Sequence, residues 1–281
     1  MNKHELDMVA LLLDLKKNYN VTGVKAEFEA EGTRIEEAMR LKDVASQAGL
    51  TLNIKTGGCE AIKDMLDANS LGVQRIIAPM VETPYALQKF IRAAQLVYGE
   101  GFGNVELFVN IETITAYHNF SAMLALPEIK YLSGIVIGRV DFVGSLGLSR
   151  DLVNGEEIFG YCKILCAQAK EKNLKVVIGG GVSVDSLPFF RKIAAGHLDQ
   201  FETRKIIFTC PGALQNPEMA FIKAVKFELM WLKNKRDFYS AIAKEDEARI
   251  NMMENRYRDS LNKIKLTEIS GKLVEIESEY S

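Results

Sequence analysis

The run Ser133-Gly134-Ile135-Val136-Ile137-Gly138 is apolar almost without a break, and Val176-Val177-Ile178 repeats the pattern further along the chain. Strands apolar on both faces belong in a sheet covered by helices on one side and by packed core on the other. Outward from these two, short runs rich in β-branched residues alternate with helical stretches from Thr22 onward: Gly23–Phe28, Thr51–Lys55, Gln74–Ala78, Val105–Ile111, Gly134–Gly138, Lys175–Ile178 and Lys205–Thr209. That alternation predicts parallel strands joined by crossover helices. Repeats at this density predict an α/β fold, a (β/α)8 TIM-type barrel rather than an open doubly wound sheet. One strand is missing from the count, so either the barrel is short of a strand or an irregular segment closes it.

Helix signals fit the same frame. Lys3–Lys17 reads as an amphipathic helix ahead of the first strand. Thr33 with Glu36 forms a capping-box pattern, and Thr83-Pro84 and Asn216-Pro217 each place a capping side chain before a proline at the first helical position. Beyond Pro217 neither glycine nor proline interrupts the chain until past Leu266, which predicts one long helix or two in series. We therefore expect a barrel over 1–235 and a helical C-terminal extension over 236–281. In that extension Ile250, Met253, Tyr257, Leu261 and Ile264 recur at three and four residues. This is either a seam for a partner helix, making the protein a homo-oligomer, or the apolar stripe of a helix lying back on its own barrel.

Thirty-five Lys and Arg against 37 Asp and Glu give a formal charge of −2 in a chain of 281 residues. That balance lacks the basic field that non-specific nucleic-acid or membrane-surface binding requires, so neither partner is expected. No apolar run approaches the roughly 20 residues that span a bilayer, and no signal peptide is read. Cys59, Cys162, Cys166 and Cys210 fit neither a disulfide framework nor a zinc spacing, which points to buried thiols and a reducing, cytoplasmic setting.

In a barrel of this kind chemistry sits at the carboxyl ends of the strands. Those ends carry Glu27, Glu29 and Glu31; Lys55 with Thr56-Gly57-Gly58; Pro79-Met80-Val81-Glu82; Asn110 and Glu112; Arg139 and Asp141; Gly179-Gly180-Gly181; and Thr209-Cys210. Carboxylates crowded at one mouth repel unless a cation or a base-and-proton arrangement relieves them. Glu112 and Asp141 follow consecutive apolar strands and are the candidate ligands for Mg²⁺ or Mn²⁺, which needs only one or two protein carboxylates beside water and substrate oxygens. Acids at strand ends also serve as helix caps and ion-pair partners, so this spacing alone leaves both roles open.

Pro79-Met80-Val81-Glu82-Thr83, Ile111-Glu112-Thr113 and Gly138-Arg139-Val140-Asp141-Phe142-Val143-Gly144-Ser145-Leu146-Gly147, in that order and spacing, resemble the HpcH/HpaI aldolase and citrate lyase β-subunit family over roughly 23–208. The resemblance implies a (β/α)8 barrel in which Glu112 and Asp141 hold a divalent ion that binds an α-keto acid or its enolate. It also implies a lyase or aldolase acting on a small keto acid or a hydroxylated polycarboxylate. A divalent ion and a second cation stabilise an enolate as its charge develops.

Two departures follow. Where the family commonly carries an arginine, this chain has Asn53-Ile54-Lys55-Thr56-Gly57-Gly58, leaving Lys55 either as the second catalytic cation or as an ordinary surface lysine. Where pyruvate aldolases of the family carry an acid and a histidine, Lys25-Ala26-Glu27-Phe28-Glu29-Ala30-Glu31 has no histidine; His4, His118 and His197 fall in predicted helices or their ends. Glu29 is the candidate replacement base, alternatively a contact to a cationic or hydroxylated substrate group. Glu27, Gly58 and Ser145 are candidate substrate-binding positions, and Gly179-Gly180-Gly181 is either an anion-binding turn or a tight βα turn. Against the enzyme stands a second class: a barrel that has lost its base and serves as a binding or assembly module.

Overall fold

The computed structural model describes residues 1–215 and 217–279, the side chains at 261 and from 263 onward excepted. Eight strands close a barrel in sequence order: β1 (Val21–Glu27), β2 (Thr51–Lys55), β3 (Arg75–Ala78), β4 (Glu106–Asn110), β5 (Gly134–Gly138), β6 (Lys175–Gly179), β7 (Gln200–Glu202) and β8 (Ile206–Thr209). Around it run α1 (Lys3–Tyr19), α2 (Ile35–Gln47), α3 (Ile62–Ser70), α4 (Pro84–Tyr98), α5 (Ile114–Leu124), α6 (Arg139–Ser145), α7 (Glu156–Glu171) and α8 (Leu187–Lys192). Helix α9 spans Pro217–Glu279. Two compact units result, Met1–Trp231 and Leu232–Ser281.

The missing strand is β7, three residues long and too short for a periodic pattern to reveal. Only Thr203 to Lys205 separate it from β8, far fewer than the dozen or so residues a parallel crossover needs. Strand β8 therefore turns back and pairs antiparallel with both β7 and β1, while the other neighbours are parallel. This overturns one expectation. Thr209 lies at the amino end of the barrel, 3.0 Å from the Thr22 hydroxyl, and the tip of the β7–β8 hairpin lies at the mouth instead.

Alternation along the strands sorts side chains into two cores. Val24, Ala26, Leu52, Ile54, Ile135, Ile137, Val176 and Ile178 face the helices in the large outer core. Ile77, Phe108, Val136 and Val177 form a separate plug inside the barrel. Below the plug the Arg75 guanidinium covers the Phe108 ring at 4.1 Å, pairs with Glu106 at 2.7 Å and donates to Gln200 at 2.8 Å, while Lys175 also pairs with Glu106.

Helix caps decide several connections. Asn2 and Glu5 form a capping box on α1, and Asn20 ends it in the left-handed region that asparagine tolerates. Thr83 accepts from Ala86 N–H with Pro84 behind it, as the sequence predicts. The Thr33–Glu36 box does not form: Arg34 occupies the cap position of α2 and its side chain makes no capping bond to the helix, while the Thr33 hydroxyl is 3.4 Å from Glu31. Asn216 lies outside the described residues. Among the described residues no helix is long and apolar enough to cross a membrane.

Candidate active site

The carboxyl ends of the strands open into a cavity of about 740 Å³. Its inner wall is made by the last inward-facing residues of the strands, among them Lys25, Glu27, Lys55, Asn110, Gly138, Gly179 and Glu202. Of the sequence candidates, Glu27, Glu29, Lys55, Glu112 and Asp141 all line it. Gly58 and Ser145 do not. Gly58 offers its carbonyl to the Thr56 hydroxyl, and the Ser145 hydroxyl accepts from Ile114 N–H at 2.9 Å while donating to the Phe142 carbonyl at 2.7 Å, tying α6 to the start of α5.

Glu112 stands two residues beyond the end of β4 and precedes Thr113, whose hydroxyl caps α5, so the strand-to-helix turn fixes its backbone. The side chain is 2% exposed. Met80 N–H donates to Oε1 at 3.0 Å, and Asn110 Nδ2 donates to Oε2 at 2.7 Å. Met80 reaches it from a left-handed backbone, φ 51°, uncommon for a residue with a side chain. Gly138 makes the room: a Cβ there would come 2.4 Å from Glu112 Oε2. The sequence places Met80 among the strand-end residues and Gly138 inside a motif, but it assigns neither of them a contact to Glu112.

Lys55, last in β2, places Nζ 2.7 Å from Glu29 Oε2 and 3.8 Å from Glu112 Oε1. Burial works against its charge, but Glu112, Glu29 and Glu27 outweigh burial and hold its pKa above the usual lysine value. It is a fixed cation, not a free amine. Burial holds the Glu112 carboxyl above the ordinary glutamate range despite the pull of Lys55, Met80 and Asn110, and the Asp141 charge pushes it further up. Asp141 is exposed to the cavity in the first turn of α6.

Two residues earlier in the same motif, Arg139 is wholly buried and donates to the Gly179, Gly180 and Val153 carbonyls, Asn154 and Ser186. Gly180 packs so close that a Cβ would meet Val140 N at 2.6 Å, and Gly180 and Gly181 both have positive φ. The triple glycine is thus a tight βα turn braced by Arg139. None of the three histidines lines the cavity, and His197 stands in the turn between α8 and β7. Burial raises the Cys59 thiol, which favours its protonated form over the nucleophilic thiolate.

A divalent ion fits the donor set. Two carboxylates, one buried and both mutually repelling, are hard oxygen ligands, and the cavity leaves space for water and substrate oxygens. Among the described residues no three His, Cys, Asp or Glu side chains cluster to ligate an ion by themselves.

A closed, mainly parallel barrel with acids converging at its carboxyl end defines a TIM-type enzyme scaffold. The chain belongs to the HpcH/HpaI aldolase/citrate lyase family, whose model matches residues 25–185. It is 30% identical over 119 residues to the hydroxypyruvate/pyruvate aldolase of Roseobacter denitrificans (strain ATCC 33942 / OCh 114), covering 34% of this chain and 44% of that protein, so it spans less than half of that relative. It shares its fold with the HpcH/HpaI aldolase from Desulfitobacterium hafniense DCB-2, with a TM-score of 0.57 and 11% identity over 70% of this chain and 81% of that one. It is similarly close to the citrate synthase SbnG, TM-score 0.57 and 13% identity over 82% and 91%.

Proposed function

We propose that the protein is a divalent-metal-dependent carbon–carbon lyase or aldolase acting on a small keto acid through a stabilised enolate. The observation that carries this is the Lys55 ammonium, held between Glu29 and the buried Glu112 and facing the cavity. Glu112 and Asp141 would hold Mg²⁺ or Mn²⁺, and when bound the ion supplies Lewis-acid stabilisation to oxyanions of the donor. Lys55 adds a positive charge to the enolate oxygen as it forms, and it does so as ammonium because its neighbours keep it protonated. Glu29 takes the proton from the donor carbon next to the carbonyl, and Lys55 orients its carboxylate for that transfer. Residues 1–235 are the catalytic barrel and 236–281 the extension. Ile250, Met253 and Tyr257 are 50%, 51% and 67% exposed and form the described part of a homo-oligomer seam; the side chains of Leu261 and Ile264 are not among those described. We place the enzyme in a reducing cytoplasm.

The test follows pyruvate methyl protons by NMR in D₂O with Mg²⁺. Exchange by the native chain, lost in Glu29→Gln and Asp141→Ala, is expected. Exchange unaffected by both substitutions refutes the assignment. Light scattering at high micromolar concentration that gives a monomer refutes the seam.

A further inference from the structure

Large apolar side chains on α9 are half exposed or more in two stretches: Ile222, Val225, Leu229 and Leu232 near its start, and Ile250, Met253 and Tyr257 further on. Phe221, Ala224, Phe227 and Trp231 are buried, so the first stretch lies on a different side of the helix from the one that meets the core. Both stretches fall in a single seven-residue frame. Counting by sevens from Ile222 gives Leu229, Arg236, Ala243, Ile250 and Tyr257; from Val225 it gives Leu232, Tyr239, Asp246, Met253 and Ser260. Two such series, three and four residues apart on one helix, are the seam positions of a coiled coil.

Two charges interrupt the seam, Arg236 in one series and Asp246 in the other. They decide its orientation. In a parallel pair each series faces itself, which sets Arg236 on the partner's Arg236 and Asp246 on the partner's Asp246; like charges facing each other in a desolvated seam are strongly disfavoured. In an antiparallel pair each series faces the other. With Arg236 set against the partner's Asp246, two-fold symmetry sets Asp246 against the partner's Arg236, and the remaining layers follow from the repeat. Val225 then meets the partner's Tyr257, Leu229 the partner's Met253, Leu232 the partner's Ile250, and Tyr239 the partner's Ala243. Of the half-exposed apolar residues in the frame only Ile222 meets a polar one, the partner's Ser260.

Residues beside the seam were not used to set this register, and most of them agree with it. Lys226 falls next to the partner's Glu254, Lys233 next to the partner's Glu247, and Glu228 next to the partner's Arg256. Lys235 with the partner's Arg249 is a like-charged flank, and Ile242 meets its own copy near the two-fold axis. Within one chain Arg236 pairs with the adjacent Asp237 at 2.7 Å, with both side chains exposed. An exposed pair of that kind contributes little and yields readily to a pair inside the seam.

We propose that α9 pairs with α9 of a second copy as an antiparallel coiled coil over 222–260, its register fixed by Arg236 against the partner's Asp246. This rests on the homo-oligomer reading and deepens it by naming the orientation and the layers. The experiment follows self-association of the full chain by sedimentation equilibrium. Arg236→Asp and Asp246→Arg should each weaken it about a hundredfold or more, because each places like charges at two symmetry-related layers. The double variant, Arg236→Asp with Asp246→Arg, should return it to within about tenfold of native, since the opposed pairs are restored with their signs exchanged. Orientation is read separately from disulfides mapped by mass spectrometry: a Leu229→Cys chain mixed with a Met253→Cys chain should link position 229 to position 253. A 229–229 or 253–253 link, or a double variant no stronger than the single ones, overturns the register and leaves the homo-oligomer reading standing. If association through the barrels hides the charge reversals, the 229–253 link decides, its presence supporting the proposal and its absence overturning it. A native chain that stays monomeric at high micromolar concentration overturns both.

Discussion

At the amino end of the barrel Glu106 lies between Arg75 and Lys175; at the carboxyl end Glu112 lies between Lys55 and Asp141. The two ends use the same side-chain types and reach opposite electrostatic results. Burial would raise Glu106, but Lys175 and Arg75 reverse it and hold the carboxyl below the ordinary range. Glu112 stays above that range, because its burial is deeper and one neighbour is another acid. At the lower end donors are matched to acceptors. The upper end has more acid than base and an amide oxygen without a donor. Charge inside a barrel is therefore not itself a mark of function; imbalance around an open cavity is.

The largest effect that would break this contrast comes from Glu112. On the proposed function Glu112→Gln should reduce pyruvate proton exchange on the order of a thousandfold, with circular dichroism unchanged, since it removes an ion ligand and the anchor of Lys55 together. Activity within tenfold of native would show the upper acid to be as structural as the lower one. Lys55→Met should follow, lowering kcat about a hundredfold or more, equivalent to about 2–4 kcal/mol of transition-state stabilisation. Calorimetry should find Mg²⁺ affinity nearly unchanged, because Lys55 ligates nothing. Lys55→Arg retains part of the rate if charge alone matters, and a Lys55→Met enzyme with near-native turnover would remove Lys55 from the chemistry.

Most of the upper end was legible in the sequence, because strand-end positions are set by the boundaries of apolar runs. Glu27, Lys55, Glu112 and Asp141 could be placed at one mouth before any coordinates. What escaped was whatever depends on β7 and β8. Gln200–Glu202 is too short to show a period, so Glu202 was invisible, and with it the partner of Lys25. Reversal of β8 moved Thr209 to the opposite end and brought Thr203 and Arg204 to the cavity, a consequence of a three-residue connection that only the unseen strand reveals. Ser145 failed for another reason: a hydroxyl inside a motif is as useful for tying two helices as for binding substrate. The left-handed Met80 that aims its N–H at Glu112 carries no sequence signature, since glycine or asparagine is the usual sign of positive φ.

The lower end should yield stability effects without chemical ones. Arg75→Met removes the guanidinium from Glu106, Gln200 and the Phe108 ring, leaving Glu106 with Lys175 alone. Breaking a fully buried pair costs about 3–5 kcal/mol; Glu106 is one-third exposed, so roughly 1–3 kcal/mol is expected, read from the urea midpoint. Relative to native, kcat/KM should stay within about twofold, smaller than the loss of any transition-state contact. A large drop in activity with little loss of stability would mean that the plug transmits between the two ends.

The smallest effect is the most direct comparison of the two acids, and it has opposite signs. Glu106 binds its proton less readily folded than unfolded. Its contribution to stability is therefore present above the ordinary glutamate value, about 4.3, and is lost as pH falls through the lower folded value. Glu112 binds its proton more readily folded. Between about 4.3 and its raised folded value the native chain holds the extra proton, so stability falls as pH rises through that window. Urea midpoints of the metal-free chain from pH 3 to 7 should show both slopes in superposition. Glu106→Gln should flatten the acid side and Glu112→Gln the upper side. On the proposed ligand assignment, saturating Mg²⁺ should displace the Glu112 proton and flatten the upper side in the native chain while leaving the acid side as it was. If Mg²⁺ instead moves the acid side, the ion sits at the wrong end of the barrel and the assignment of Glu112 and Asp141 fails.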